Sequence, residues 1–172
     1  MLLARPTHID SSAYYATYLK AAQGEDAFAE FQSSLSDSLR LIEDLSEVDL
    51  DYAYAEAKWT IREVLLHILD AERVFAYRAL RILRGDKTEL PGFDEDSYVA
   101  NSYATSWSKE DLIEAFELSR KSVILLFKNC NSRNLDEELK ASGKMFSARL
   151  LAWLIVGHNR HHLQVIQERY LK

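Results

Sequence analysis

The segment Gly157-His158-Asn159-Arg160-His161-His162-Leu163 constrains this chain more than any other. It lies in a stretch from about Met145 to Tyr170 whose apolar residues recur every three or four positions, the period of an amphipathic helix. Each helical residue advances about 100°, so His158 and His162 fall within about 20° of the line through Leu151, flanked by Leu154, Ile155, Val165 and Ile166. Both imidazoles therefore point into the core, one turn apart. His161 falls about 80° away, at the edge of the stripe. Two buried imidazoles are costly unless their nitrogens find partners, and a proton on one repels the other. A divalent metal relieves this by taking a lone pair from each neutral ring. Buried polar groups or water do so as well, in which case both histidines are ordinary core residues. The spacing admits both arrangements.

Three more segments carry helical periodicity. The first runs from about Glu25 to Leu45, with Phe28, Phe31, Leu35, Leu39 and Ile42 on one face, and a short aromatic helix from about Ser11 to Ala22 precedes it. The second opens at Trp59-Thr60-Ile61-Arg62-Glu63-Val64, where Thr60 and Glu63 read as a capping box and Trp59 can staple onto Val64. It runs to a stop at Gly85. The third repeats the device with Trp107, Ser108, Asp111 and Leu112, and runs to about Cys130. Asp86 to Trp107 is far longer than the usual connection of about 2–8 residues between bundle helices. With only five Gly and two Pro in 172 residues there are few turns to spend. The expected fold is all-α, one four-helix bundle domain over residues 1–172, with a long crossover between helices 2 and 3 that lets them run parallel.

Charge and composition exclude several classes. The net charge is −6 and the 21 Lys and Arg form no block, which argues against a nucleic-acid partner. No stretch approaches the roughly 18 apolar residues of a membrane span. Met-Leu-Leu-Ala-Arg-Pro-Thr-His does not read as a signal peptide, and Cys130 alone excludes an internal disulfide, so a cytoplasmic location is expected.

His67 falls about 120° from the centre of its helix's apolar stripe, a flank position beside Val64, Ala71 and Val74 that by itself is more often packing than ligand. Its setting says more. Trp59-Thr60-Ile61-Arg62-Glu63…His67…Asp70-Ala71-Glu72 resembles the Trp-Ser/Thr-x-x-Glu…His-x-x-Asp-x-Glu pattern of the DinB/YfiT-like superfamily. Leu90-Pro91-Gly92-Phe93-Asp94-Glu95-Asp96-Ser97-Tyr98 and the segment around His158 are similar to that family's loop and C-terminal motif, in the same order. The resemblance extends from the Tyr14-Tyr15 region onward. It implies a four-helix bundle, often dimeric, that holds one divalent ion, nickel or zinc most often, on His67, His158 and His162. It also implies transfer of a low-molecular-weight thiol to a small-molecule substrate, or thiol-dependent isomerisation, with metal-dependent hydrolysis as the older family description. A bundle that binds metal or ligand without catalysis is the third possibility, and a homodimer is the expected assembly.

Other residues have plainer readings beside the chemical ones. Outer partners for the ligands are sought in His161, Asp70 and Glu63, although Glu63 already has work in the capping box. Glu72 falls about 20° from the centre of its stripe and needs a buried partner, an Arg or Tyr from another helix. An anionic thiol would call for cations, for which Arg62, Arg73, Arg78, Arg149 and Arg160 are candidates. Asp94, Glu95 and Asp96 read as a solvated loop, and Tyr14, Tyr15 and Tyr18 as packing or a pocket mouth. Cys130, with no histidine nearby in sequence, reads as a small packing residue.

Overall fold

The computed structural model describes residues 2–7 and 13–172; His8 and the side chain of Tyr14 lie outside that description. Its elements are α1 (Ala13–Ala21), α2 (Ala27–Asp44), α3 (Glu47–Leu50), α4 (Ile61–Leu83), α5 (Glu95–Ala100), α6 (Lys109–Lys128), β1 (Glu138–Ala141), β2 (Lys144–Ser147) and α7 (Ala148–Arg169). The starts are chemically determined. Thr60 accepts from the Glu63 amide while Glu63 Oε2 accepts from the Thr60 amide at 2.7 Å, and Ser108 and Asp111 do the same for α6. Gly85, at φ +76°, follows the end of α4.

The long helices α2, α4, α6 and α7 form the bundle, and contacts between side chains and termini fix their directions. Glu72 on α4 meets Arg120 on α6, and Arg62 at the start of α4 donates to the carbonyl of Trp107, just ahead of α6. Partners near both starts and both middles mean that α4 and α6 run parallel, as the long crossover demands. Lys109 at the start of α6 donates to the carbonyls of Glu43 and Leu45 at the end of α2, so α2 is antiparallel to α6. Tyr170 at the end of α7 donates to the Trp59 carbonyl at 2.8 Å, so α7 is antiparallel to α4. The core fills in two clusters, one around Phe31, Phe127, Phe146 and Trp153 and one around Ile61, Leu65, Leu112 and Phe116.

Two features depart from the simple bundle. The last helix starts at Ala148 with Ser147 as its N-cap, not at Met145. Met145 belongs instead to a hairpin in which Glu138 pairs with Ser147 and Ala141 with Lys144. Its turn holds Ser142 and Gly143 at φ 50° and 74°, the two positive values of the tight turn that matches strand twist. The crossover is tied to this hairpin, since Leu90 donates to the Lys140 carbonyl and accepts from the Ser142 amide. The second feature is the seating of α1 on α7. A Cβ on Gly157 would lie 2.0 Å from the Tyr18 carbonyl oxygen, so only glycine permits this approach, next to His158.

Candidate metal centre

His67 projects from α4, and His158 and His162 from α7, one turn apart. The Nε2 atoms of His67 and His158 are 3.0 Å apart, and those of His162 and His158 are 3.1 Å apart. Ligand atoms of all three rings lie within 4.8 Å of one another. Hydrogen bonding alone cannot satisfy this cluster. Each Nε2 offers either one proton or one in-plane lone pair, and His158 Nε2 faces two neighbours. A central cation can take all three lone pairs together. Tetrahedral ligation at about 2.0–2.1 Å would set neighbouring nitrogens roughly 3.3–3.4 Å apart, close to the two short distances present, with the third pair within 4.8 Å. The arrangement therefore fits a divalent ion with at least one position left open.

The surroundings hold the rings neutral. Burial pushes His67 down to about 4, partly opposed by the charges of Asp70 and Asp96. Burial, with His67 and His161 adding to it, brings His162 to about 3. His158 is driven well below the ordinary histidine range, first by burial and then by the other three histidines. Neutral imidazole is the form that donates a lone pair. Aromatic contacts fix the rings in place. Trp59 lies 5.0 Å from the His67 ring between centroids, and Tyr18 lies 5.1 Å from His158 and 5.3 Å from His161. The tryptophan that leads the capping box thus also supports a candidate ligand.

His67 and His158 open into a cleft of about 260 Å³. Ala71 and Phe75 of α4, Tyr15 of α1, Gly92, Phe93 and Glu95 of the crossover, and Ser142 and Lys144 of the hairpin line it with Arg78. The long crossover and the hairpin are therefore the outer walls of the site. Ser142 and Lys144 carry no sequence signal that points to this cleft, because the hairpin lies far from every histidine motif along the chain.

The expected outer partners are placed less favourably. Glu63 is engaged with the Thr60 amide and hydroxyl, and Asp70 accepts from Arg73 at 2.9 Å, reaching His67 only through its field. His161 meets His162 edge to face with centroids 5.1 Å apart but faces a different groove, between α7 and α1–α2. Glu72 finds its buried partner in Arg120, at 2.8 Å. Of the five arginines, Arg62 is held by Glu47 and Asp51, Arg73 by Asp70, Arg149 by Asp136 and Arg160 by Glu30. Arg78 alone of the five lines the cleft. Asp94 caps α5 by accepting from the Ser97 amide, and burial raises the Cys130 thiol above its ordinary range. No helix among the described residues is long and apolar enough to cross a membrane.

Fold and site together define a helical-bundle protein in which two antiparallel helices bring three imidazoles together, two of them lining a small cleft. The chain belongs to the DinB superfamily, whose family model matches residues 30–166. It is 24% identical over 128 residues to a protein of Oceanobacillus iheyensis named "Putative metal-dependent hydrolase", covering 73% of each chain. Its fold is similar to that of YfiT from Bacillus subtilis, described as a probable metal-dependent hydrolase with an unusual four-helix bundle topology. That match has a TM-score of 0.73 at 15% identity and covers 95% of this chain and 90% of YfiT. It is also similar to the mycothiol-dependent maleylpyruvate isomerase, with a TM-score of 0.63 at 12% identity, over 91% of this chain and 60% of the isomerase. These likenesses bear out the helical-bundle and family expectations.

Proposed function

We propose that this protein is a metal-dependent enzyme that holds one divalent ion, zinc or nickel, on His67, His158 and His162 and transfers a low-molecular-weight thiol to an electrophilic substrate. The observation that carries the reading is the convergence of three neutral imidazoles, with the Nε2 atoms of His67 and His162 lying 3.0 and 3.1 Å from that of His158, which hydrogen bonding cannot satisfy. An ion with an open position lowers the pKa of a bound thiol or water and polarises a carbonyl. Around it, burial keeps the three imidazoles free of protons at neutral pH. Trp59 and Tyr18 pack against the rings, and Phe75 and Phe93 line the cleft. The thiol reading is supported by the likeness to a mycothiol-dependent isomerase. A hydrolase is the second reading, supported by the names of two relatives, and it differs in needing no thiol for turnover.

Elemental analysis of protein purified without affinity nickel tests the site. About one ion per chain is expected in the wild type and none in His67→Ala, His158→Ala or His162→Ala. Zinc at about 100 times its dissociation constant should stabilise the wild type by about 2.7 kcal/mol and leave the variants unchanged. A wild type that takes up neither zinc nor nickel overturns the reading. Turnover of model electrophiles and esters with and without added thiol then separates transfer from hydrolysis.

A further inference from the structure

Arg78 departs from the other buried arginines of the bundle. The residue is only 4% exposed, yet among the described residues no carboxylate lies within ion-pair distance of it, and Glu95 of the same cleft reaches it only through its field. Arg120 and Arg62, equally buried, each hold carboxylates at 2.7–2.9 Å. Arg78 has instead the Ser142 hydroxyl at 2.8 Å, the Pro91 carbonyl at 3.4 Å and the face of Phe146 at 5.3 Å. Neutral oxygens and a ring orient a guanidinium without neutralising it, and the field of Glu95 acts from beyond contact, so the buried charge still has room for an anion in direct contact.

The way Ser142 is placed points the same way. It occupies the left-handed region, at φ 50°, where glycine, asparagine and aspartate are favoured and serine is uncommon. The hairpin that holds it there is tied to the crossover through Leu90. Backbone in a sparsely populated region marks places where side-chain position matters more than local stability. Here that position puts a hydroxyl on Arg78.

Arg78 also sits at a junction. It lines the cleft that contains His67 and His158, and it lines a neighbouring groove of about 330 Å³ on the outer side of the crossover. Gly92 and Phe93 are common to both. The groove's other walls are largely apolar: Val74, Leu90 and Pro91, with the exposed rings of Tyr77 and Tyr98. Phe93 and Tyr98 stack with centroids 5.2 Å apart, which gives the groove an aromatic wall.

We propose that Arg78, oriented by Ser142, is the anion-recognition residue of this site, and that its ligand is a monocarboxylic acid whose apolar or aromatic tail lies in the Tyr77–Tyr98 groove. The carboxylate meets the planar guanidinium fork. The tail runs outward along the groove, and the end near His67 and His158 carries the reacting group. A carboxylate fits better than a phosphate, because desolvating a second negative charge beside apolar walls and near the Glu95 carboxylate is costly, and Lys144, the other cation of the cleft, is exposed. The inference rests on the proposed metal site only for the position of the reacting group; recognition of the acid requires no metal.

The test is an NMR titration of metal-free and zinc-loaded protein with 3-phenylpropanoate, its neutral amide, acetate and inorganic phosphate. The tailed acid should bind at least about tenfold more tightly than the amide, the scale of a charge-assisted hydrogen bond, and more tightly than acetate. Its binding should shift the Arg78 guanidinium resonance in the wild type. Arg78→Gln should make acid and amide equal, Tyr98→Ala should weaken the tailed acid several-fold without affecting acetate, and Ser142→Ala should weaken both acids. Ser142 and Tyr98 are exposed, so those variants remain informative if Arg78→Gln fails to fold. Equal binding of acid and amide by the wild type, an unmoved Arg78 resonance, or phosphate competing as well as the acid overturns the proposal. Zinc content is read on the same samples. Acid preference without zinc uptake refutes the metal site alone, and zinc uptake without acid preference refutes this inference alone.

Discussion

Between α2, α4 and α6, the Arg120 guanidinium donates to Glu72 at 2.8 Å, to the Phe31 carbonyl at 2.7 Å and to the Ser34 hydroxyl at 2.6 Å, and Ser119 adds a hydrogen bond to Glu72 at 3.0 Å. Between α4 and α7, three imidazole nitrogens crowd together at 3.0 and 3.1 Å with too few protons to share. Both clusters are buried polar groups joining bundle helices. The first pairs its charges within itself, and the second has no such internal pairing. A buried cluster that closes on itself holds helices in register. One whose own groups cannot satisfy each other is suited to a ligand from outside, and Arg78 shows the same open character on a smaller scale.

The largest expected effect separates the clusters by ligand binding. His158→Leu keeps the volume of the ring with apolar atoms and removes the shared nitrogen. Losing an outer partner of a ligand costs about 10–100-fold in metal affinity, so losing a ligand should cost at least about 1000-fold. Competition against a chromogenic chelator measures it. The metal-free variant should be no less stable than the metal-free wild type, because a crowded polar group has been replaced by an apolar one. A metal-free variant destabilised by several kcal/mol would make the triad a structural cluster like the other and break the comparison.

Arg120→Met should do the reverse. It leaves Glu72 buried and unpaired, and breaking a buried pair from one side costs about 3–5 kcal/mol. Urea unfolding should show that loss, while zinc content per chain stays at the wild-type value. Adding Glu72→Leu should recover most of the stability, since an apolar replacement of both partners is often neutral or better.

The legibility of these regions in the sequence follows from how local their signals are. Capping boxes span four residues, so Thr60–Glu63 and Ser108–Asp111 were readable from sequence alone and both helices start where expected. His158 and His162 share one helix face, so periodicity points both inward, and the structure buries His158 and leaves His162 half-buried. His67 lies 91 residues from His158, on a flank position, and only its resemblance to a family pattern singled it out. Glu72 advertised the need for a partner without naming Arg120, 48 residues on. The hairpin was hidden because its strands have four residues each and Met145 and Phe146 continue the apolar rhythm of α7. Arg78 and Ser142 were illegible for a different reason. Their meaning depends on the carboxylate that is missing beside Arg78, and an absent contact leaves no trace in a pattern of residues.

Acidity should distinguish the clusters next. In the native, metal-free protein His67 titrates at about 4 and His162 at about 3, whereas unfolded histidine titrates near 6.5. Between about pH 6.5 and 4 the unfolded chain therefore binds more protons than the native one, and stability must fall as the pH falls. Above about 6.5 both states are neutral at these rings and the contribution vanishes. For His67 alone the loss by pH 4 is about 3 kcal/mol, at about 1.4 kcal/mol per unit. Comparing urea unfolding at pH 7, 5.5 and 4 in wild type and His67→Leu isolates this part. Parallel pH curves for the two proteins would mean that the ring already takes up its proton in the native state, which would also weaken its standing as a ligand.

The smallest effect asks whether the clusters are separate at all. Ser38 donates to the Ser34 carbonyl at 2.9 Å and its hydroxyl accepts from Asn159 at 2.9 Å, so a thread of polar contacts runs from Arg120 through Ser34 and Ser38 to the residue next to His158. Ser38→Ala leaves the fully buried Asn159 amide short of an acceptor, at a cost of about 1–3 kcal/mol. If the thread only anchors α2 to α7, zinc affinity should change less than about twofold, and Ser38→Ala and His158→Leu should add in stability within about 0.5 kcal/mol. A coupling above about 1 kcal/mol would mean that Asn159 transmits the state of the triad to the ion-pair network. The two clusters would then be one device, its closed end setting the geometry of its open end.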